Sequence, residues 1–280
     1  MSKKKHLFLF AGYSKTGTVD GALLYYVSNL NNIGDVIVCM DCDCKKSELK
    51  KLSNITIKSI AGRHGEYDFG SYKRAYFYAK ENNLIKKYDY IHLVNDSVFG
   101  PTISLNNTIK KLEQSNTDAT GLIVSTHKTH CYMESWFVCL TKKIFLSDWF
   151  SDFISNVKPE LRKSAVTIKY EHGLTNLIQN NNCSWSGIYT FHGRYTYNNP
   201  KKLFQKGCPF IKKLSFTRHF GGLGKQINYT LNHCNKNAKK VILKSADLLY
   251  GENYTNWLLT KNPIKIIFRN FKYLLFKLKK

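Results

Sequence analysis

No apolar run in these 280 residues approaches the roughly 20 that a membrane-crossing helix needs, so the sequence predicts no transmembrane segment. Acidic residues are scarce: 19 Asp and Glu stand against 43 Lys and Arg, a formal charge of +24. Such an excess attracts polyanions such as nucleic acid, anionic lipid or phosphorylated ligands. A solvated lysine-rich surface is the plainer alternative, since the lysines are spread along the whole chain. Zinc-finger spacing, an RNA-recognition signature and a contiguous interior basic stripe are all missing, which argues against a nucleic-acid-binding protein. There is no internal repeat, no low-complexity tract and no linker sharp enough to cut two domains. No secretory leader is legible either, because Met1-Ser2-Lys3-Lys4-Lys5 leads straight into the strand-like run His6 to Phe10. The expectation is a cytoplasmic chain with reduced thiols. Cys39, Cys42 and Cys44 offer three zinc ligands, but no fourth follows at finger-like spacing. Cys39 also belongs to the apolar run Val36 to Met40, so buried or incidental thiols are the favoured reading.

What is present is an alternation. Strand-like runs at Leu7 to Ala11, Val36 to Met40, Ile55 to Ile60 and Ile91 to Val94 alternate with helical spacing at Ala22 to Leu30, Ser47 to Leu52, Tyr72 to Leu84 and Ile103 to Leu112. That order predicts an α/β fold with a mostly parallel sheet covered by helices. It also places the loops after each strand on one edge, where a nucleotide can bind. After residue 118 the pattern changes to strands at Gly121 to Ser125, Trp136 to Leu140 and Trp185 to Phe191. Helices are predicted at Ile144 to Ile154 and Tyr170 to Ile178, and His192 to Pro209 reads as loop. From Lys261 to Lys280 there are seven basic residues and no acidic one. Ile264, Ile267, Phe268, Phe271, Leu274, Leu275 and Leu278 fall on one helical face, with Lys265, Arg269 and Lys272 opposite. A basic amphipathic helix of this kind reads as a membrane-surface anchor, against the plainer reading of a core-packed helix with a solvated basic rim.

Three segments carry candidate chemistry. Asn95-Asp96-Ser97 closes the run Tyr90 to Val94, and reads either as a turn or as a ligand site at a strand's carboxyl end. Arg63 to Lys73 (RHGEYDFGSYK) links a strand to a helix, and its glycines either make that turn or cradle a base or sugar. Tyr170-Glu171-His172-Gly173-Leu174-Thr175 puts Glu171 and Thr175 one helical turn apart, with Glu171 a general base or a solvated residue.

In order along the chain, "HLFLFAGYSKTGTVDGALLYYVSNLNNIGDVIVCM", "GRHGEYDFGSYKRA", "YDYIHLVNDSVFGP", "MESWFVCLTKKIF" and "YEHGLTNLI" resemble the rhamnan synthesis protein F family of bacterial surface-polysaccharide glycosyltransferases. The similarity covers about residues 6 to 190. It implies a GT-A-like, Rossmann-type fold and transfer of a sugar, typically rhamnose from dTDP-rhamnose, to a growing glycan. Tyr13 would approach the nucleotide, and Arg63 and Asp68 would hold the base, ribose or diphosphate. Gly70, Ser71, Lys73, Asn95 and Ser97 would belong to the same donor site. Asn-Asp-Ser takes the place where many GT-A enzymes carry Asp-x-Asp. Asp96 is therefore either a ligand to Mg²⁺ or Mn²⁺, since magnesium is held by one or two carboxylates plus phosphates, or an acceptor from a sugar hydroxyl. A literal Asp41-Cys42-Asp43 follows the second strand, where the family has a variable loop, and is set aside as a decoy.

Sugar transfer needs cations for the departing diphosphate and a base for the attacking hydroxyl. The candidate cations are Arg63, Lys73 and Arg194, or a metal at Asp96. The candidate bases are Glu171 first, then His172 and Glu134; on the acceptor side stand Glu134, His172 and Arg194. The expected partners are a nucleotide sugar, a lipid-linked glycan acceptor and, through the basic tail, the inner face of the cell membrane. Residues 1–250 are expected to form the transferase domain, with 1–118 the nucleotide-sugar half and 119–250 the acceptor half. Residues 251–280 form the tail. A polysaccharide-assembly accessory protein without turnover is the alternative.

Overall fold

The structure, a computed structural model, describes residues 4–217 and 223–278, with side chains in the last helix described as far as Phe271. Leu274, Leu275, Leu278 and Lys272 of the predicted amphipathic face have side chains outside the described residues, as do Met1 to Lys3 of the expected amino terminus. The chain divides into two compact units. One takes the chain up to Val19, then Val27–Asp96 and Ile109–Gly193. The other takes Asp20–Tyr26, Ser97–Thr108 and everything from Arg194 on.

Ten strands are described: β1 (His6–Gly12), β2 (Asp35–Met40), β3 (Lys58–Ala61), β4 (Tyr90–Asn95), β5 (Val98–Phe99), β6 (Ala119–Thr126), β7 (Cys131–Met133), β8 (Phe137–Thr141), β9 (Trp185–His192) and β10 (Ile211–Lys212). All except β5 and β10 join one sheet of the first unit, in the order β3-β2-β1-β4-β8-β6-β7, with β9 beside β6. β1, β2, β3 and β4 are mutually parallel, as are β6 and β9. β8 runs antiparallel to both β4 and β6, and β7 to β6. This is the expected mixed, mostly parallel sheet flanked by helices. β1 is buried at all seven positions, which is why it reads as an unbroken apolar run rather than an alternating one. The carboxyl ends of the four parallel strands open on one edge, and the antiparallel β8 begins there, opposite Val94 at Phe137. β6 and β9 end on the same edge, with Ser125 beside Phe191 and Thr126 beside His192.

The helix expected at Tyr72 to Leu84 runs instead from Tyr67 to Glu81, and its start lies inside the segment read as a loop. Phe69, Tyr72, Ala75, Tyr76 and Ala79 are buried at helical spacing and pack in the same core as Leu7, Leu9, Ile37 and Leu93. Gly70 is a packing glycine rather than a turn glycine: a Cβ there would lie 2.3 Å from Glu66 Cβ and 2.8 Å from His64 Cε1. The predicted helix Ile144 to Ile154 is split into Lys142–Phe145 and Asp148–Ser155. Ser147 accepts a hydrogen bond from the Phe150 N–H and caps the second piece. The helix expected from Tyr170 is a π turn over Thr167–His172 followed by an α-helix over Gly173–Asn180.

The second unit has its own core, in which Phe99, Ile211, Phe216, Leu223, Ile227, Leu231, Ile242 and Leu258 pack together. β5 and β10 form a two-stranded antiparallel ribbon. The expected loop at His192 to Pro209 contains two short helices, Tyr195–Asn198 and Pro200–Gln205. Pro200 takes the first helical position, where the missing N–H costs nothing, and Leu203 is buried. The last helix spans Pro263–Leu278. Its orientation departs from the sequence expectation, because Arg269 is 5 % exposed and donates to the carbonyls of Leu258 and Trp257. Ile264, Ile267, Phe268 and Phe271 are 59 to 70 % exposed. The basic side at Arg269 faces in, and the apolar face is open. No helix among the described residues is long and apolar enough to cross a membrane.

Candidate functional site at the carboxyl edge of the sheet

Residues of all three motifs meet at this edge of the first unit. Asn95 ends β4, is 2 % exposed, and donates through Nδ2 to Asp68 Oδ2 at 2.8 Å. Its backbone N–H donates to the Trp136 carbonyl at 3.2 Å, and the next N–H, of Asp96, donates to Ala11 at 3.1 Å. Asp96 is thereby held half-buried between the ends of β1 and β4. Ser135, one residue before Trp136, donates through Oγ to Glu171 Oε1 at 2.5 Å. A line of hydrogen bonds therefore runs from Asp68 through Asn95 and the Ser135–Trp136 backbone to Glu171. The Tyr72 hydroxyl, from the helix Tyr67–Glu81, donates to the Ser135 carbonyl at 2.9 Å and fixes the middle of that line.

The loop Arg63 to Glu66 is pinned by acids from the end of β2. Asp41 Oδ1 accepts the N–H groups of His64 and Gly65 at 2.8 and 3.0 Å, and Asp43 Oδ1 accepts that of Arg63 at 3.3 Å. The literal Asp-x-Asp thus holds this loop in place. His64 Nδ1 accepts from the Glu66 N–H at 3.1 Å, so its Nε2 carries the proton toward Ser71 Oγ at 3.1 Å. Burial, followed by the neighbouring Arg74, lowers the His64 pKa, in keeping with this neutral tautomer. Glu66, itself buried, pairs with Arg74 and lies 3.8 Å from Lys73. These contacts hold Tyr67 in the left-handed region at φ +56°, which for a residue with a Cβ costs about 1–2 kcal/mol. Its ring is left exposed.

Other expected site residues are placed differently. Tyr13 and Arg63 are exposed at this edge. Gly70 and Ser71 are buried in the helix, with the Ser71 hydroxyl on His64. Lys73 does not reach outward: its Nζ donates to the Val157 carbonyl at 2.9 Å. Glu134, a candidate base, is enclosed rather than open to solvent. It is 5 % exposed, and its two oxygens accept from Ser125 Oγ at 2.8 Å and Trp136 Nε1 at 2.6 Å. Ser97 and Arg194 belong to the second unit, where Lys212 Nζ lies 3.3 Å from Ser97 Oγ. Thr175 is fully buried and bonds the backbone of Met133 and Glu171.

The sequence reading took His172 as a candidate base but missed His64 and the rings that surround His172 further along the edge. His127 and His130 stack at 4.8 Å, and the Tyr132 and His172 ring centroids lie 3.9 Å apart. Burial first, then Glu171 and Glu134, push the Tyr132 pKa up to about 12. The visible signal was His127-Lys128-Thr129-His130, two histidines bracketing a polar turn between apolar runs. Among the described residues, no three His, Cys, Asp or Glu are arranged to hold a metal ion. At Asp96 the protein offers one carboxylate, and a divalent ion there would draw its remaining ligands from bound phosphates and water.

The profile described as "rhamnan synthesis protein F" matches residues 36–277. The chain belongs to the rhamnan synthesis protein F family. No curated protein matches this family member. Among solved structures it is similar to a protein described as a nucleotide-diphospho-sugar transferase from Desulfovibrio desulfuricans G20, at 13% identity, 69% of this chain, 82% of that one and a TM-score of 0.40. It is similar to core-mannan synthase A of Aspergillus fumigatus in its Mn/GDP form at 10% identity and a TM-score of 0.34. That match covers 55% of this chain and 64% of the synthase, under two thirds of its length. A glycosyltransferase involved in glycosylating the major capsid of PBCV-1 matches at 9% identity, 74% and 93% coverage and a TM-score of 0.36. Likenesses this slight say nothing of the family member's chemistry.

Proposed function

We propose that this chain is a GT-A-like glycosyltransferase that moves a sugar, rhamnose or a similar hexose, from a nucleotide-diphosphate donor to a lipid-linked glycan. Family membership supports the class. The observation that carries the site is the hydrogen-bonded line Asp68–Asn95–Ser135–Glu171 beside Asp96. Tyr13 packs on the base, and Arg63 meets the diphosphate. Asp68, oriented by Asn95, receives donor hydroxyls. Asp96 would hold a divalent ion where the donor brings one, and such an ion would supply positive charge for the departing diphosphate.

In the transfer step an acceptor hydroxyl oxygen attacks the anomeric carbon from the face opposite the diphosphate. The bond to the diphosphate breaks and the electron pair leaves with it, while the hydroxyl proton passes to Glu171. Ser135 orients that carboxylate, and the π turn that carries it is of the kind that concentrates at functional sites. Glu171→Gln should lower kcat by about 10²–10⁴-fold with donor affinity unchanged. Near-normal turnover would remove the base assignment. Running the same assay with a chelator separates the two roles of Asp96, because only a metal-ligand role loses turnover.

The open apolar face of the last helix fits a membrane surface, with Lys261 and Lys265 exposed beside it and an excess of positive charge over the chain. Each Lys or Arg near an anionic bilayer contributes on the order of 1 kcal/mol. The full chain should co-sediment with vesicles containing anionic lipid, and Ile267→Glu with Phe268→Glu should release it. Binding that survives both changes would assign the face elsewhere.

A further inference from the structure

We propose that the rings of His127, His130, Tyr132, His172 and His192 form the platform on which the acceptor's terminal sugar ring lies. This rests on the glycosyl-transfer reading and adds the acceptor subsite to it.

The rings come from four segments of the first unit: the turn between β6 and β7, β7 itself, the end of the π turn, and the end of β9. The turn is closed by the His127 N–H on the His130 carbonyl at 2.8 Å, and the two imidazoles stack 18° from parallel. The Tyr132 ring lies 6.1 Å from His127 and within 1° of parallel to it. His172 lies 4.7 Å from His130, and His192 lies 6.1 Å from His127. His127, His130 and His192 are exposed, and none of the four histidines has an ion pair among the described residues. Burial, then His130 and His127, lower the pKa of His172, so neutral imidazole is its form at neutral pH.

A neutral imidazole offers a flat apolar face with one N–H donor and one acceptor nitrogen at its rim. Tyr132 adds a second such face and a hydroxyl. A pyranose ring presents the complementary pattern, an apolar C–H face ringed by hydroxyls. The platform also adjoins the proposed base. His172 follows Glu171 directly, the Met133 N–H donates to Thr175 Oγ1 at 3.2 Å, and Ser135 bonds Glu171. The strand that carries Tyr132 is thereby fastened to the segment that carries the carboxylate.

The test uses the full chain. Histidine Cε1–H signals are followed by NMR during titration with a panel of methyl glycosides that includes methyl α-L-rhamnoside. Transfer from a nucleotide sugar to a rhamnoside acceptor is measured in parallel. At least one glycoside should shift the His127, His130 and His172 signals. His127→Ala with His130→Ala should weaken that binding and raise the acceptor KM about tenfold, with the donor KM unchanged. His130→Phe, which keeps a ring face, should retain most of the affinity. Silence of these signals toward the whole panel would overturn the platform, as would a shift produced by Zn²⁺ alone. A double variant with normal acceptor KM in an active enzyme would overturn it while leaving glycosyl transfer standing. Glycoside binding on these rings in a protein that turns over no nucleotide sugar would keep the sugar platform and remove the transfer reading.

Discussion

The two halves of the sheet's carboxyl edge are built on different principles. On the β1–β4 side, carboxylates and backbone N–H groups hold one another. Asp41 and Asp43 fix the loop Arg63 to Gly65, and Asp68 is fixed by Asn95. On the β6–β9 side, rings meet rings, and the order comes from stacked and tilted ring contacts across a turn, a π turn and a strand end. The first arrangement suits a ligand whose charge and hydroxyls must be placed, since charge-assisted hydrogen bonds are the strong and directional ones. The second suits a ligand held by faces, with weaker and more tolerant contacts. Glu171 lies where the two meet, bonded to Ser135 and followed by His172.

Cutting the polar half should have the largest effect of the changes that separate the two. Asp68→Ala removes the carboxylate that accepts from Asn95 Nδ2, at a residue only 2 % exposed. Loss of a hydrogen bond to a charged group, about 1.5–3 kcal/mol, should raise the donor KM about 10–100-fold and leave the acceptor KM in place. Steady-state kinetics with each substrate varied in turn decides it. Equal changes in both constants would show that the halves are not separable.

How much of this was legible depended on whether the information lay in one stretch of chain. β1, β2 and β4 announce themselves because a strand buried on both faces is an unbroken apolar run, and the order of runs gave the shared edge. The polar half was legible because its residues lie in two short motifs, although their detailed roles were not. Lys73 was read as a candidate cation and Glu134 as a candidate base, yet Lys73 reaches the Val157 carbonyl and Glu134 is enclosed by Ser125 and Trp136. Whether a charged side chain faces in or out depends on partners far along the chain. The ring half joins positions 127–132, 172 and 192, and no local periodicity links them. Arg269 makes the same point in the second unit. Helical spacing separates its face from that of Phe268, but the arginine's apolar stem can be buried when its guanidinium finds carbonyl partners, and spacing does not show those partners. Gly224 is what leaves room, since a Cβ there would lie 2.8 Å from Arg269 Nη1.

A smaller effect should be common to both halves and to the core. His64 in the polar half and His172 in the ring half both have pKa values lowered from 6.5 by burial first. His92, stacked on Phe8 in the sheet, is lowered well below that value for the same reason. The unfolded chain takes up these protons near pH 6.5, whereas the folded chain does so only at lower pH. The unfolded state therefore binds more protons in between, and stability falls as the pH drops below about 6.5. A Tm measured from about pH 8 to 5 should decline on the acid side, and His172→Gln should make that decline shallower. A flat profile would show that these imidazoles are not held neutral.

The smallest change tests the junction itself. The Tyr72 hydroxyl is buried and donates to the Ser135 carbonyl at 2.9 Å, one residue's backbone away from the side chain that orients Glu171. Tyr72→Phe keeps the ring packed against Phe69 and removes only that donor. The expected loss is about 1 kcal/mol of stability, a drop of roughly 2–4 °C in Tm for a unit of this size. If the line from Asn95 to Glu171 orients the base, kcat should fall by less than about tenfold while both KM values hold. A change in acceptor KM with kcat intact would mean that the Ser135 segment serves the ring platform rather than the carboxylate. The polar half would then end at Asn95.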